Sequence, residues 1–110
     1  MQEDLFGTCP FVTAQKMLTG KWTLLILHHL SVKTMRFNEL QRELPNLTQA
    51  TLSKQLRMMG ENGLIIRTVY NQIPPKVEYS LSELGKLFMP VLSSLELWGN
   101  QYITFLKSKE

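Results

Sequence analysis

The spacing of apolar residues predicts a helix in the middle of the chain. Leu52, Leu56 and Met59 lie four and three residues apart, so they share one face of a helix over about 48–60. Thr48 stands at its start, where a hydroxyl can accept a hydrogen bond from an unpaired N–H of the first turn. The opposite face is small, polar and basic, without a carboxylate until the end of the helix.

The pattern after this helix changes to that of a β-hairpin. Gly63 can end the helix, because glycine adopts left-handed backbone without strain. Residues 64–70 are rich in β-branched and apolar side chains, and residues 76–81 alternate polar with apolar. The polar, Pro-rich segment 71–75 joins them. The sequence therefore predicts a wing over about 64–81.

Two helices are predicted before the central one. Residues 21–30 are apolar on most sides, which indicates a core helix. Its expected anchors are Trp22, Leu25, Ile26 and Leu30. Residues 37–44 form the next predicted helix, and Arg36-Phe37 can pair as a minimal strand. Residues 45–47 are a turn, because Pro45 disfavours helical geometry at the residue before it. Two short helices joined by about three residues form a helix-turn-helix.

The two ends of the chain hold more apolar surface than one small domain can cover. Residues 1–8 are expected to be an arm, followed by a short helix from Pro10. Ser82 is a good N-cap for a long helix over about 82–108, which Pro90 should kink or break. Because this helix is apolar almost to its end, we expect part of it to pack against a second copy of the chain.

These elements predict a single mainly α domain over residues 1–110 with a small β-hairpin, a winged helix-turn-helix. The N- and C-terminal helices would form a dimer interface. The helix at 48–60 would enter the DNA major groove, and the wing would lie along the backbone or in a minor groove. The alternatives are an ordinary amphipathic helix with a solvated face and a hairpin that only covers the core edge.

The charge distribution favours a polyanion as partner. The formal net charge is +3 and the sequence pI is about 9.2, but residues 16–76 hold nine basic and three acidic residues. Double-stranded DNA is therefore the expected partner, through either phosphate or base contacts. The expected contact residues are Arg36, Asn38, Thr48, Gln49, Thr51, Ser53, Lys54, Arg57, Arg67, Asn71, Gln72 and Lys76.

No residue pattern indicates an enzyme. His28 and His29 are adjacent and point to different sides of a helix, which suits neither a shared metal ion nor a catalytic triad. Without a phosphate loop or a pair of catalytic carboxylates, no catalytic residue, metal or cofactor is predicted. The single cysteine, Cys9, cannot form an intrachain disulfide. No apolar run suits a signal peptide or a membrane span, so a cytoplasmic protein is expected.

Short motifs stand in a characteristic order along most of the chain. They are Cys9-Pro10, the run 20–27, the segments 36–40, 47–49, 52–57 and 63–65, and the run 74–81 followed by Leu84-Gly85. This set, over about 9–99, resembles the HxlR-type winged-helix transcriptional regulators, which are relatives of MarR. The resemblance implies a homodimeric DNA-binding regulator of bacterial type, with dimer contacts from its terminal helices.

The same resemblance suggests a role for Cys9. In that family a cysteine followed by proline before the first helix often senses electrophiles or oxidants. A thiol near a helix N-terminus ionises more readily, and Lys16 or Lys21 can add to this effect. The alternatives are an inert thiol, a regulator that binds a small molecule in a pocket lined by Trp22, Trp98 and methionines, and a winged helix that binds other proteins.

Overall fold

The computed structural model describes residues 5–110 of the chain. Its elements follow in the order α1 (Pro10–Met17), α2 (Thr23–Val32), α3 (Phe37–Glu43), α4 (Gln49–Glu61), β1 (Ile65–Tyr70), β2 (Lys76–Leu81), α5 (Glu83–Leu87) and α6 (Met89–Ser108). A mainly helical chain with one antiparallel hairpin confirms the predicted winged helix-turn-helix class. Residues 1–4 of the predicted arm lie outside the described residues, and residues 6–8 form a turn before α1.

The core lies where α2, α3 and α4 meet the first residues of the hairpin. Its buried apolar side chains are Ile26, Leu27, Leu30, Met35, Leu40, Leu44, Leu47, Leu52, Leu56, Met59, Leu64 and Ile65. The predicted face of Leu52, Leu56 and Met59 is thus confirmed. Burial of this apolar surface is what holds α4 in place, since each large side chain contributes about 1.5–3 kcal/mol when fully buried.

One predicted anchor of α2 is not in the core. Ile26 and Leu30 are buried and Trp22 packs half-buried against them, as expected. The prediction for Leu25 was wrong, because its side chain is 41 % exposed. Residues 23, 26, 27 and 30 share the inward face of α2, and Leu25 lies about 100° around the helix from Ile26, on the side toward α6.

A tight turn joins α3 to α4. Thr48 caps α4 as predicted, because its Oγ1 accepts a hydrogen bond from the Thr51 N–H at 3.1 Å. Gln41 on α3 spans the turn, donating through Nε2 to the Leu47 carbonyl at 2.6 Å and to the Leu44 carbonyl at 3.4 Å. These contacts satisfy backbone groups that neither helix can satisfy itself, and they hold the start of α4 against α3.

The hairpin is extended on one side by a single β-bridge. The Met35 N–H donates to the Tyr79 carbonyl at 3.0 Å, and the Tyr79 N–H donates to the Met35 carbonyl at 2.7 Å. The expected pairing of Arg36-Phe37 therefore falls one residue earlier, because Phe37 already begins α3. This bridge attaches the wing directly to the helix-turn-helix.

Ser82 connects the end of α4 with the start of α5. Its Oγ accepts from the Gly85 N–H at 3.0 Å and donates to the Gly63 carbonyl at 2.6 Å. Gly63 has a φ of +80°, the left-handed conformation predicted for the residue that ends the helix. Pro90 lies in the first turn of α6, and the expected long helix breaks at Phe88 into α5 and α6.

The terminal helices α1 and α6 add no fully buried side chain to the core, although Leu92 of α6 packs against it. No residue of either helix is buried, and both lie wholly within the described part of the chain. Phe11 of α1 is 84 % exposed, and Leu97 and Trp98 of α6 are 64 % and 61 % exposed. Trp98 and Tyr102 stack with their ring centroids 5.4 Å apart, so an aromatic surface extends along the outside of α6.

Candidate nucleic-acid interface

The outer face of α4 is exposed, polar and basic. The predicted contact residues Gln49, Thr51, Ser53, Lys54 and Arg57 are all exposed on it. Thr48 is also exposed, but its hydroxyl donates to Thr51 Oγ1 at 2.9 Å while capping the helix. The Thr48 hydroxyl is therefore engaged in capping the helix, whereas the Thr51 hydroxyl can still donate to another acceptor.

A groove of about 630 Å³ lies between α4 and the hairpin. Ser53 and Arg57 of α4 line it together with Arg67 of β1, so the fold brings together three predicted contact residues that are distant in sequence. Tyr79 also lines the groove. Glu61, in the last turn of α4, contributes the one carboxylate among its described lining residues. Two guanidinium groups and a hydroxyl beside an exposed helix form a surface suited to a phosphate backbone.

Arg36 and Asn38 meet in a second depression, at the start of α3. Arg42 lines it as well and was not among the predicted contact residues, although its position four residues after Asn38 places both on one helical face. The Glu39 carboxylate interacts with neighbouring groups of the protein. It accepts from the Arg36 N–H at 2.8 Å and lies 3.5 Å from Lys33 Nζ. The backbone hydrogen bond, aided by Lys33, holds the pKa of Glu39 below its usual value.

The two basic residues predicted for the strands of the wing lie on opposite faces of it. Arg67 pairs with Tyr79 and Lys76 pairs with Tyr70. Paired residues share a face and successive residues alternate, so Arg67 faces the α4 groove and Lys76 faces away. Lys76 Nζ lies 3.2 Å from Glu78 Oε2 and 4.9 Å from the Tyr70 ring centroid. A hydrogen bond with Glu78 also raises the pKa of Tyr70 above its usual value.

The tip of the hairpin is exposed throughout residues 71–75. Asn71 and Gln72, both predicted contact residues, lie there beside Ile73, whose side chain is fully exposed. Amide groups can donate to phosphate oxygens or to acceptors in a minor groove. The tip can therefore add neutral hydrogen-bonding groups beyond the basic α4 groove.

A buried polar contact behind α4 was missed by sequence reasoning. Gln55 is 7 % exposed, and its Nε2 donates to Thr23 Oγ1 of α2 at 2.9 Å. The available signal was its place on the apolar face of α4, directly before Leu56. An amide at such a position must find a partner, because burying it without one is costly.

Similarity to known proteins identifies the family. Residues 17–106 match the HxlR-like helix-turn-helix family. The chain belongs to this family. YdeP of Bacillus subtilis (strain 168), an HTH-type transcriptional regulator, is 43 % identical over 99 residues, which span 90 % of this chain and 77 % of YdeP. The HxlR-like chain is thus a helix-turn-helix transcriptional regulator, in agreement with the prediction that it is not an enzyme.

Solved structures extend the same comparison. The HTH-type transcriptional regulator YtcD superimposes with a TM-score of 0.82 at 42 % identity, covering 88 % of this chain and 99 % of that one. The redox regulator HypR in its reduced form superimposes with a TM-score of 0.85 at 37 % identity, covering 91 % of this chain and 99 % of that one. Over residues 5–110, the HxlR-like chain has no helix long and apolar enough to cross a membrane.

Cys9 occupies the N-cap position of α1 in the HxlR-like chain and is partly exposed. Its carbonyl accepts from the Thr13 N–H at 3.0 Å, which begins the helix. The two lysines expected near the thiol lie over aromatic rings: Lys16 Nζ is 4.8 Å from the centroid of Phe6, and Lys21 Nζ is 5.2 Å from a ring of Trp22. Neither lysine interaction involves Cys9.

An open groove of about 410 Å³ lies between α2 and α6. Its lining residues are Lys21, Leu24, Leu25, His28, Leu92, Leu95 and Glu96. The pocket expected around Trp22 and Trp98 is therefore not this one, since neither tryptophan is among its lining residues in the described part of the chain.

Proposed function

We propose that this regulator binds DNA sequence-specifically as a homodimer, with α4 in the major groove and the hairpin along the adjacent backbone. The observation that supports it most directly is the convergence of Ser53, Arg57 and Arg67 on one open groove beside the exposed face of α4. The major groove is about 12 Å wide and accepts a helix of this kind.

Some of the exposed polar and basic side chains would contact the DNA backbone, and others would contact the bases. Arg67 on the hairpin would contact a phosphate, while Gln49 and Arg57 on α4 would form paired hydrogen bonds to adenine and guanine edges. Arg36 and Arg42 would hold the backbone at the start of α3. The wing would thereby fix the position of α4 on the duplex.

The exposed apolar surface of α1 and α6 supports a homodimer. Apolar and aromatic side chains follow each other along one side of α6, from Val91 through Trp98 and Tyr102 to Phe105, each about half-exposed or more. Monomeric proteins rarely expose large continuous apolar surfaces. A two-fold pair would cover it and would place two copies of α4 one helical turn of DNA apart, about 34–36 Å.

The proposal is tested by binding to duplex DNA at two salt concentrations. We expect a steep loss of affinity between roughly 50 and 200 mM salt, because phosphate contacts release counterions. Arg57→Ala should weaken binding, whereas Lys107→Ala, which removes the same charge from the exposed end of α6, should not. Selection from a random duplex pool should enrich a sequence with two-fold related half-sites. Salt-independent binding, or none, would instead favour a protein-interaction module.

A redox role for Cys9 is the second part of the proposal. It is supported by the position of Cys9, a partly exposed residue at the start of α1, and by the likeness to HypR, which is a redox regulator. An oxidant would accept two electrons and two protons as Cys9 forms a disulfide with a second thiol, either a small thiol or Cys9 of the other subunit. Because α1 belongs to the proposed dimer surface, such a bond would change the spacing of the two α4 helices. A regulator that responds only to a small molecule would be unaffected by this oxidation.

A further inference from the structure

Helix α4 carries one polar side chain on its buried face. Among the described residues, Gln55 and Thr23 are the buried polar side chains, at 7 % and 1 % exposure, and they bind each other across 32 residues of sequence. Apolar side chains of similar size would fill this space without the cost of desolvating an amide and a hydroxyl. The polar pair instead restricts the orientation of α4 relative to α2, because a hydrogen bond has a preferred angle and an apolar contact does not.

Gly20 completes the contact from the segment between α1 and α2. The Thr23 N–H donates to the Gly20 carbonyl at 3.2 Å, which places the hydroxyl beside this glycine. A Cβ at Gly20 would overlap Thr23 Oγ1 and lie 3.0 Å from Gln55 Nε2. The absence of a side chain at Gly20 therefore allows the amide and the hydroxyl to meet. Gln55, Thr23 and Gly20 together are called the polar lock below.

Gln55 lies on the side of α4 opposite Ser53 and Arg57, two residues that we propose face DNA. At about 100° per residue, Ser53 and Arg57 each lie about 200° around α4 from Gln55, so a contact at Gln55 sets the direction in which they point. With a helix radius of about 5–6 Å including side chains, a rotation of roughly 20° moves their ends by about 2 Å. A movement of that size is enough to lose a hydrogen bond to a base edge.

We propose that Gln55 is a positioning residue for sequence recognition. Through the polar lock it sets the rotation of α4 about its own axis, and this rotation sets the direction in which Ser53 and Arg57 point. This inference rests on the proposed function. The apolar side chains of α4 keep the helix attached to the core, and the polar lock selects one rotation among those that the apolar contacts permit.

The test uses the duplex most enriched by the unmodified protein from a random pool, and a scrambled duplex of the same composition. For Gln55→Met we expect the ratio of the two affinities to fall by about tenfold, as for the loss of a base contact. Affinity for the scrambled duplex should change by less than about twofold, because phosphate contacts tolerate small displacements. Gly20→Ala, which crowds the same pair, should lower the ratio in the same way.

The double variant Gln55→Met with Thr23→Val separates positioning from folding. Replacing both partners leaves no unpaired polar group, so the free energy of unfolding should recover most of what Gln55→Met loses. The affinity ratio should remain low, because the directional contact is still absent. Recovery of both quantities, or an unchanged ratio in Gln55→Met, would overturn the inference while leaving DNA binding intact. If the unmodified protein enriches no sequence, the proposed function fails and this inference with it.

Discussion

Arg67 and Lys76 lie on the same hairpin but on opposite faces of it. Arg67 faces α4 and shares a groove with Arg57, whereas Lys76 is turned away and forms an ion pair with Glu78. The charge of Lys76 is thus matched by a neighbour, whereas Arg67 forms no ion pair with any residue of the described range 5–110. Although both are basic residues of the wing, we expect them to contribute differently to DNA binding.

Arg67→Ala should lower the affinity for duplex DNA several-fold and reduce the dependence of log affinity on log salt concentration by about one. The control is the double variant Lys76→Met with Glu78→Gln, which removes a cation and its anion together and leaves the net charge unchanged. It should keep the salt dependence of the unmodified protein. A larger loss in the double variant than in Arg67→Ala would show that the outer face of the wing contacts DNA instead.

The dimer proposal predicts opposite outcomes for two charge substitutions on α6. Trp98→Glu places a carboxylate on the exposed apolar side, where a buried charge is costly, and should weaken dimerisation by about thirtyfold or more. Asn100→Glu adds the same charge about 200° around the helix, on its polar side, and should leave the dimer intact. Sedimentation equilibrium measures both. A monomeric unmodified protein, or two equally weakened variants, would contradict the proposed interface.

The redox proposal predicts that DNA binding changes after oxidation only while Cys9 is present. Treating the DNA-free protein with diamide and a small thiol should add a mixed disulfide or an intersubunit disulfide, seen by mass spectrometry and non-reducing electrophoresis. The DNA affinity of the oxidised protein should differ from that of the untreated protein. It should return to the untreated value when a dithiol reductant is added. Cys9→Ser should show neither effect. An equal change in Cys9→Ser would assign the response to another residue.

The pKa of Glu39 predicts how stability depends on pH. The hydrogen bond from the Arg36 N–H, aided by Lys33, lowers this pKa in the folded state below the usual 4.5. The unfolded chain therefore binds the proton more readily, so the stabilisation is complete above that usual value and is lost as the pH falls through the folded-state pKa. Glu39→Gln should flatten this part of the profile, measured by urea unfolding between about pH 7 and pH 3. An unchanged profile would contradict the assignment.

Most of what could be predicted from the sequence depends on short-range rules. Thr48 and Ser82 cap helices because a hydroxyl reaches N–H groups two or three residues ahead, and Gly63 ends α4 because it alone adopts left-handed backbone without strain. The apolar face of α4 follows from helical periodicity. The exposed side chains of α4 were predicted for the same reason, since they lie on the side opposite that apolar face.

Long-range packing decided what the sequence left open. Leu25 could not be assigned outward until the partners of α2 were known, and the bridge to the hairpin at Met35 depends on where α3 begins. The partner of Gln55 lies 32 residues away in a different helix. No periodicity within α4 contains that information, because a hydrogen bond between two helices depends on their relative rotation and distance.

By itself, then, the sequence determined the order of the elements, the winged helix-turn-helix class and the basic outer face of α4, because caps, turns and apolar spacing act within a few residues. The tertiary structure alone decided which basic groups share a groove. It set Arg67 beside Arg57 and placed Gln55 against Thr23. These arrangements come from strand pairing and helix packing, where side chains that are distant in the chain meet only after the core has formed.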